Sequence, residues 1–113
     1  MRGIGLIVAM LLVAAPIGRC DETVSSPVVL HIRLENEAIT PVVAQFLERA
    51  IGEADKQGAQ CVVVELSTPG GYLDATERIV TTMFDSPVPI VVYVSPPGAR
   101  AASAGVFVTM AAH

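Results

Sequence analysis

The sequence predicts an α/β protein built around a parallel sheet. Short β-branched runs alternate with segments of helical periodicity, turn-forming residues punctuate the boundaries, and each link between runs is long enough for a helical crossover. The resulting order is β-α-β-α-β-α, which implies parallel strands joined by right-handed crossovers. A chain of 113 residues has room for one such domain.

The first strand is Val28 to Leu34, VVLHIRL, after the turn-like Ser25-Ser26-Pro27. Thr40-Pro41 starts a helix, with threonine as N-cap and proline at the first helical position. Val43, Leu47, Ala50, Ile51 and Ala54 fall on one face of it, and Gly58 ends it. Cys61 to Leu66, CVVVEL, is an apolar run broken only by Glu65, a pattern that suits a strand covered on both faces. Thr68-Pro69-Gly70-Gly71 interrupts it.

Helical spacing resumes from Leu73 to Phe84 through Leu73, Thr76, Ile79, Val80 and Met83. Asp74 and Glu77 sit favourably near the positive end of that helix. Ser86-Pro87 closes it, and Ile90 to Val94, IVVYV, is the third strand. Ser95-Pro96-Pro97-Gly98 forms the next loop, and Ala101 to His113 reads as a last helix.

The N-terminus has a different character. Met1-Arg2 is followed by an uncharged, mostly apolar stretch from Ile4 to Ile17. That stretch is shorter than the roughly 20 residues of a membrane-spanning helix and matches the apolar region of a secretory signal. Residues 1–20 are expected to be a signal peptide or N-terminal anchor, and residues 24–113 the folded domain. Export would place the domain on the extracytoplasmic side, where disulfides are permitted. Of the two cysteines, Cys61 opens an apolar run and is expected to be buried as a small hydrophobe.

Composition excludes several classes. A 52% hydrophobic chain can bury a core, so it is not disordered. A formal net charge of −4 with a single lysine, Lys56, lacks the basic footprint of a nucleic-acid binder. Two cysteines and the distant His31 and His113 make no metal motif, and no cofactor fingerprint is present.

The carboxyl ends of parallel strands are where active sites collect in open α/β sheets. Here those ends carry Thr68–Gly71 and Pro96–Gly105. Ser103 stands among small residues between a strand and a helix, as a nucleophile does in a small-x-Ser-x-small elbow. The N–H of Ala104 and one from Gly70-Gly71 could hold a developing oxyanion. The same residues also read as an ordinary helix start capped by Ser103 and an ordinary Pro-Gly-Gly turn. A serine hydroxyl needs a base, and Lys56, His31 and His113 are all poorly placed for that role.

The stretch from Val62 to His113 resembles the protease domain of NfeD-type membrane-bound serine proteases, the stomatin operon partner family of the ClpP class. The matching residues are Thr68-Pro69-Gly70-Gly71, Ser86-Pro87-Val88-Pro89, Pro97-Gly98-Ala99 and Ala101-Ala102-Ser103-Ala104-Gly105. Weaker similarity through Thr40–Gly58 extends it to roughly residues 28–113. The resemblance implies a ClpP/crotonase-like fold and a serine–lysine dyad, with Ser103 as nucleophile and Gly70, Gly71 and Ala104 forming the oxyanion hole. It implies no metal and no cofactor. It implies apolar peptide substrates, including a stomatin-type membrane protein, and a homo-oligomer at full length.

The same resemblance puts the lysine base several tens of residues after the serine, beyond residue 113. The chain is therefore expected to be the N-terminal part of a longer domain, incomplete at its C-terminus and inactive alone. Two other readings stand beside the peptidase: a catalytically silent scaffold of the same fold, and an acyl-CoA enzyme of the crotonase type, which export disfavours.

Overall fold

A computed structural model describes residues 26–113. The expected signal or anchor at residues 1–20, and Cys20 with it, lie outside the described residues. The elements are β1 (Val29–Leu34), α1 (Pro41–Lys56), β2 (Cys61–Leu66), α2 (Leu73–Phe84), β3 (Ile90–Val94) and α3 (Ala104–Met110). The strands form one parallel sheet in the order β1-β2-β3. Val29 is in register with Cys61, and Val62 with Ile90.

Alternation in the strands sorts side chains by face. Ile32, Leu34, Val62, Val64, Leu66 and Ile90 are buried. The opposite face carries His31, Arg33, Val63, Glu65, Val91 and Tyr93, which are half-buried or exposed. The expectation that β2 is covered on both faces is thus corrected: only its even-numbered side chains are sealed. Cys61 lies on the other side, half-buried and free rather than fully enclosed.

Helix α1 begins as its sequence implies. The Thr40 Oγ1 accepts a hydrogen bond from Val43 N–H at 3.3 Å, with Pro41 at the start of the helix. Its buried stripe is Ala44, Leu47, Ile51 and Ala54, while Val43 and Ala50 pack at the margin. Helix α2 buries Ala75, Thr76, Ile79 and Met83. Leu73, expected on that inward face, is instead 72% exposed, because the face that meets the core is set by the 75–79–83 row. The Arg78 guanidinium ties α2 to α1 through two bonds to the Glu48 carboxylate, at 3.1 and 2.7 Å.

Helix α3 departs most from expectation. It starts at Ala104 and ends at Met110, not at Ala101 and His113. The backbone of Ala101 is drawn into a parallel bridge with Thr68, and a residue paired in a sheet ladder cannot also start a helix.

On the helix-free face, Glu65 accepts from the Arg33 guanidinium at 3.0 Å and lies 3.1 Å from His31 Nε2. The Arg33 bond holds the Glu65 carboxyl below its ordinary range, with a smaller contribution from Ser95. A carboxyl whose pKa falls on folding contributes stability above its unfolded value and loses it as pH falls through the folded value. Thermal melts between neutral and acidic pH should therefore show a stability loss below the usual carboxylate range that Glu65→Gln removes. In the core, Ile79→Ala should cost about 2–5 kcal/mol by chemical denaturation, since Ile79 is fully enclosed and a packed core relaxes only partly around such a loss.

Candidate active site

Beyond the carboxyl edge of the sheet, the β2 chain continues as a rail between two loops. On one side, Ser67 N–H donates to Leu34 O at 2.8 Å, Ile39 N–H to Gly70 O at 2.9 Å, and Tyr72 N–H to Ile39 O at 2.8 Å. On the other, Thr68 N–H donates to Arg100 O at 2.7 Å, and Ala102 N–H to Thr68 O at 3.1 Å. These bonds bring the Gly70-Gly71 turn against the segment that carries Ser103.

Thr68 is fully buried and joins the two loops through its side chain as well. Its Oγ1 accepts from Gly70 N–H at 3.1 Å and reaches Gly70 O at 3.3 Å, which fixes the turn. Its Cγ2 lies where only glycine fits at position 105: a Cβ there would stand 2.6 Å from it. In the sequence, Thr68 is simply the first residue of a strand break. Its hydroxyl one residue before a Pro-Gly pair was the available signal, since such side chains bond the backbone two residues on.

Ser103 occupies a backbone conformation that side chains seldom take, with φ 50° and ψ −113°. A non-glycine residue there carries about 1–3 kcal/mol of strain, which surrounding contacts must hold in place. The flanking bonds do so: Gly105 N–H donates to Ala102 O at 2.9 Å, and Val106 N–H to Ser103 O at 3.0 Å. The alternative reading of Ser103 as a helix cap is not met, because its side chain makes no capping hydrogen bond. The residue is exposed, directly before the first turn of α3.

The sequence-predicted residues meet around that serine, in different capacities. Gly71, Ser103 and Ala104 line one pocket of about 130 Å³ together with Leu73, Thr76 and Phe107. Neither Gly71 N–H nor Ala104 N–H donates to another described residue. A pocket that pairs a hydroxyl with two free amides can bind an oxygen that gains negative charge. Gly70 must be corrected as a donor, because its N–H is already spent on Thr68. Its contribution is space: with φ +116°, it abuts Ser103 so closely that a Cβ would stand 2.8 Å from the serine Cβ. Gly71 is equally confined, since a Cβ on it would run into the Ile39 backbone.

None of the three basic side chains considered for proton transfer reaches this pocket. Lys56 closes α1 at the opposite edge of the sheet. His31 is mid-strand beside Glu65. The His113 Nδ1 accepts from Ile90 N–H at 3.2 Å, at the first residue of β3 and so a full strand length from the Ser103 loop. Among the described residues, no group of three or more His, Cys, Asp or Glu side chains could hold a metal ion. No described helix is long and apolar enough to cross a membrane.

Residues 28–113 match the family model described as the NfeD1b N-terminal domain. The chain is 32% identical over 107 residues to the membrane-bound protease PH1510 of Pyrococcus horikoshii, covering 95% of this chain and 23% of that protein. A solved structure of the 1510-N membrane-bound stomatin-specific protease, a lysine-to-alanine variant in complex with a substrate peptide, superposes with a TM-score of 0.74 at 34% identity. It covers 79% of this chain and 40% of its own. The ClpP1 protein of Listeria monocytogenes superposes with a TM-score of 0.63 at 16% identity, over 75% of this chain and 46% of its own, which shows a ClpP-like fold alone. The chain thus spans about a quarter of the curated relative and less than half of the solved ones.

Removing the Thr68 hydroxyl while keeping its volume isolates the bond that fixes the turn. Thr68→Val should cost about 1–3 kcal/mol of stability, because the Gly70 N–H is left buried without a partner. Thr68→Ser should retain most of it. Denaturant titration of both variants measures the difference.

Proposed function

The chain belongs to the family of NfeD1b N-terminal domains, and on that premise we propose that it is the nucleophile-bearing part of a membrane-associated serine endopeptidase. The domain, residues 24–113, acts on the extracytoplasmic side, with residues 1–20 as export signal or anchor. The observation that carries the reading is the single pocket in which the strained Ser103 meets the unpartnered N–H groups of Gly71 and Ala104.

In the proposed reaction, Ser103 Oγ attacks the scissile carbonyl carbon and gives its proton to the base. The carbonyl oxygen becomes an oxyanion and accepts hydrogen bonds from Gly71 and Ala104. The short α3 adds its positive end behind Ala104. Collapse of this intermediate breaks the C–N bond, the base returns the proton to the leaving amine, and an acyl-serine remains. Water then hydrolyses that ester by the same steps.

The base is a lysine located C-terminal to residue 113. A lysine fits because desolvation beside an apolar wall lowers its pKa and leaves a neutral amine to accept the serine proton. The relative's lysine variant, solved with a substrate peptide, supports this assignment. The fold is of the ClpP/crotonase type, and the protein works as a homo-oligomer. Its substrate is an apolar segment of a membrane partner of the stomatin type, as the relative's specificity suggests. The walls of the pocket agree with an apolar peptide, since Leu73 and Phe107 stand 72% and 61% exposed beside the serine.

A serine-directed peptidyl phosphonate should label the full-length protein at Ser103, with the adduct located by mass spectrometry, and Ser103→Ala should abolish it. Folded protein that stays unlabelled would point to the scaffold reading instead.

A further inference from the structure

Beside the Ser103 pocket lies a second recess of about 210 Å³ between α2 and α3. Both share Leu73, Thr76 and Phe107 as walls, and the second adds Val80 and Glu77. Apart from Glu77 and the Thr76 side chain, whose hydroxyl donates to Tyr72 O at 2.7 Å, the walls are apolar. Glu77 is the one ionisable group on the recess.

The Glu77 carboxylate has no ion-pair partner among the described residues, whereas the adjacent Arg78 is occupied by Glu48. Asp74 lies one turn earlier on α2 and shares with Glu77 a neighbouring depression, also without an ion pair. Both acidic residues are exposed. Asp74 belongs to the first turn of α2, where it offsets the helix dipole. Glu77, expected from the sequence to sit near the positive end of the helix, is corrected: it stands beyond the first turn, where the dipole effect has faded.

Resting on the protease reading above, we propose that Glu77 gives this site a charge preference, selecting peptides in which the apolar residue seated in the recess is flanked by lysine or arginine. An apolar side chain in the recess brings its neighbours along the peptide to the rim. There the carboxylate attracts a cation and repels an acidic residue. Because the rim is open to solvent, the preference is modest and falls with ionic strength. A long basic side chain suits the geometry, since its stem covers apolar wall while its head stays in water.

The test uses full-length protein carrying Ser103→Ala, so that binding is read apart from turnover. Three fluorescent peptides share one apolar core and differ in a single flanking residue: Lys, Gln or Glu. Fluorescence anisotropy should give affinities in the order Lys, Gln, Glu, with about threefold to fivefold between successive peptides. Adding Glu77→Gln should flatten the order and Glu77→Lys should invert it. Raising the salt to about 0.5 M should compress it. Equal binding of all three peptides, a preference that persists in Glu77→Lys, or no binding at all would each overturn the proposal. Charge-ordered binding, together with failure of the phosphonate to label the folded protein that retains Ser103, would keep this inference and remove the hydrolytic reading.

Discussion

Thr68 sets the distance between the loop that carries Ser103 and the Gly70-Gly71 turn. Its backbone pairs with Arg100 and Ala102 on one side, while its hydroxyl holds Gly70 on the other. Its methyl group presses on Gly105, the second residue of α3. A polar group buried this completely is costly unless its bonds are made, and the bonds Thr68 makes are those that shape the site. The Ser103 turn and the Gly71 turn are therefore parts of one assembly, positioned by an extension of β2.

That assembly explains how a strained serine persists. A side chain at φ 50° is tolerated only where neighbours leave no easier conformation. Ala102 is pinned to Thr68, Gly105 and Val106 donate back to Ala102 and Ser103, and Gly70 abuts the serine. The strain points Ser103 outward at the start of α3 rather than down onto the helix as a cap. It also leaves the first amide of that helix without an internal partner, as helix starts do unless a side chain intervenes. Gly71 loses its partner for a separate reason: Ile39 bonds its two neighbours and skips it.

Much of this was legible in residue patterns, and the failures have physical causes. β2, α2 and β3 were readable to the residue because turn-formers stand on both sides of each. Helix α3 was read three residues early, since Ala101-Ala102-Ser103 has high helical propensity and only the tertiary bridge to Thr68 overrides it. Leu73 fitted the helical period yet faces outward, because a periodicity argument cannot distinguish a core stripe from the wall of a groove. Spacing on a β-α-β frame brings the Ser103 loop and the Pro69-Gly70-Gly71 turn to one rim, and Ser103, Gly71 and Ala104 do line one pocket there. Gly70 was misassigned because a Gly-Gly pair does not reveal which of its two amides is already bonded. Thr68 shows only half its role in the sequence: its hydroxyl bond to Gly70 is local, but its backbone pairing with Arg100 and Ala102 and its methyl contact with Gly105 lie more than thirty residues along the chain.

The proposed reaction requires that an oxyanion formed at Ser103 fall between the amides of Gly71 and Ala104. A crystal structure of the full-length protein bearing a peptidyl boronate on Ser103 tests it most directly, because the tetrahedral adduct carries an oxygen where the oxyanion would form. That oxygen is expected about 2.7–3.1 Å from both amide nitrogens. An adduct oxygen turned to solvent, or held by other groups while these amides stay unpartnered, would contradict the claim.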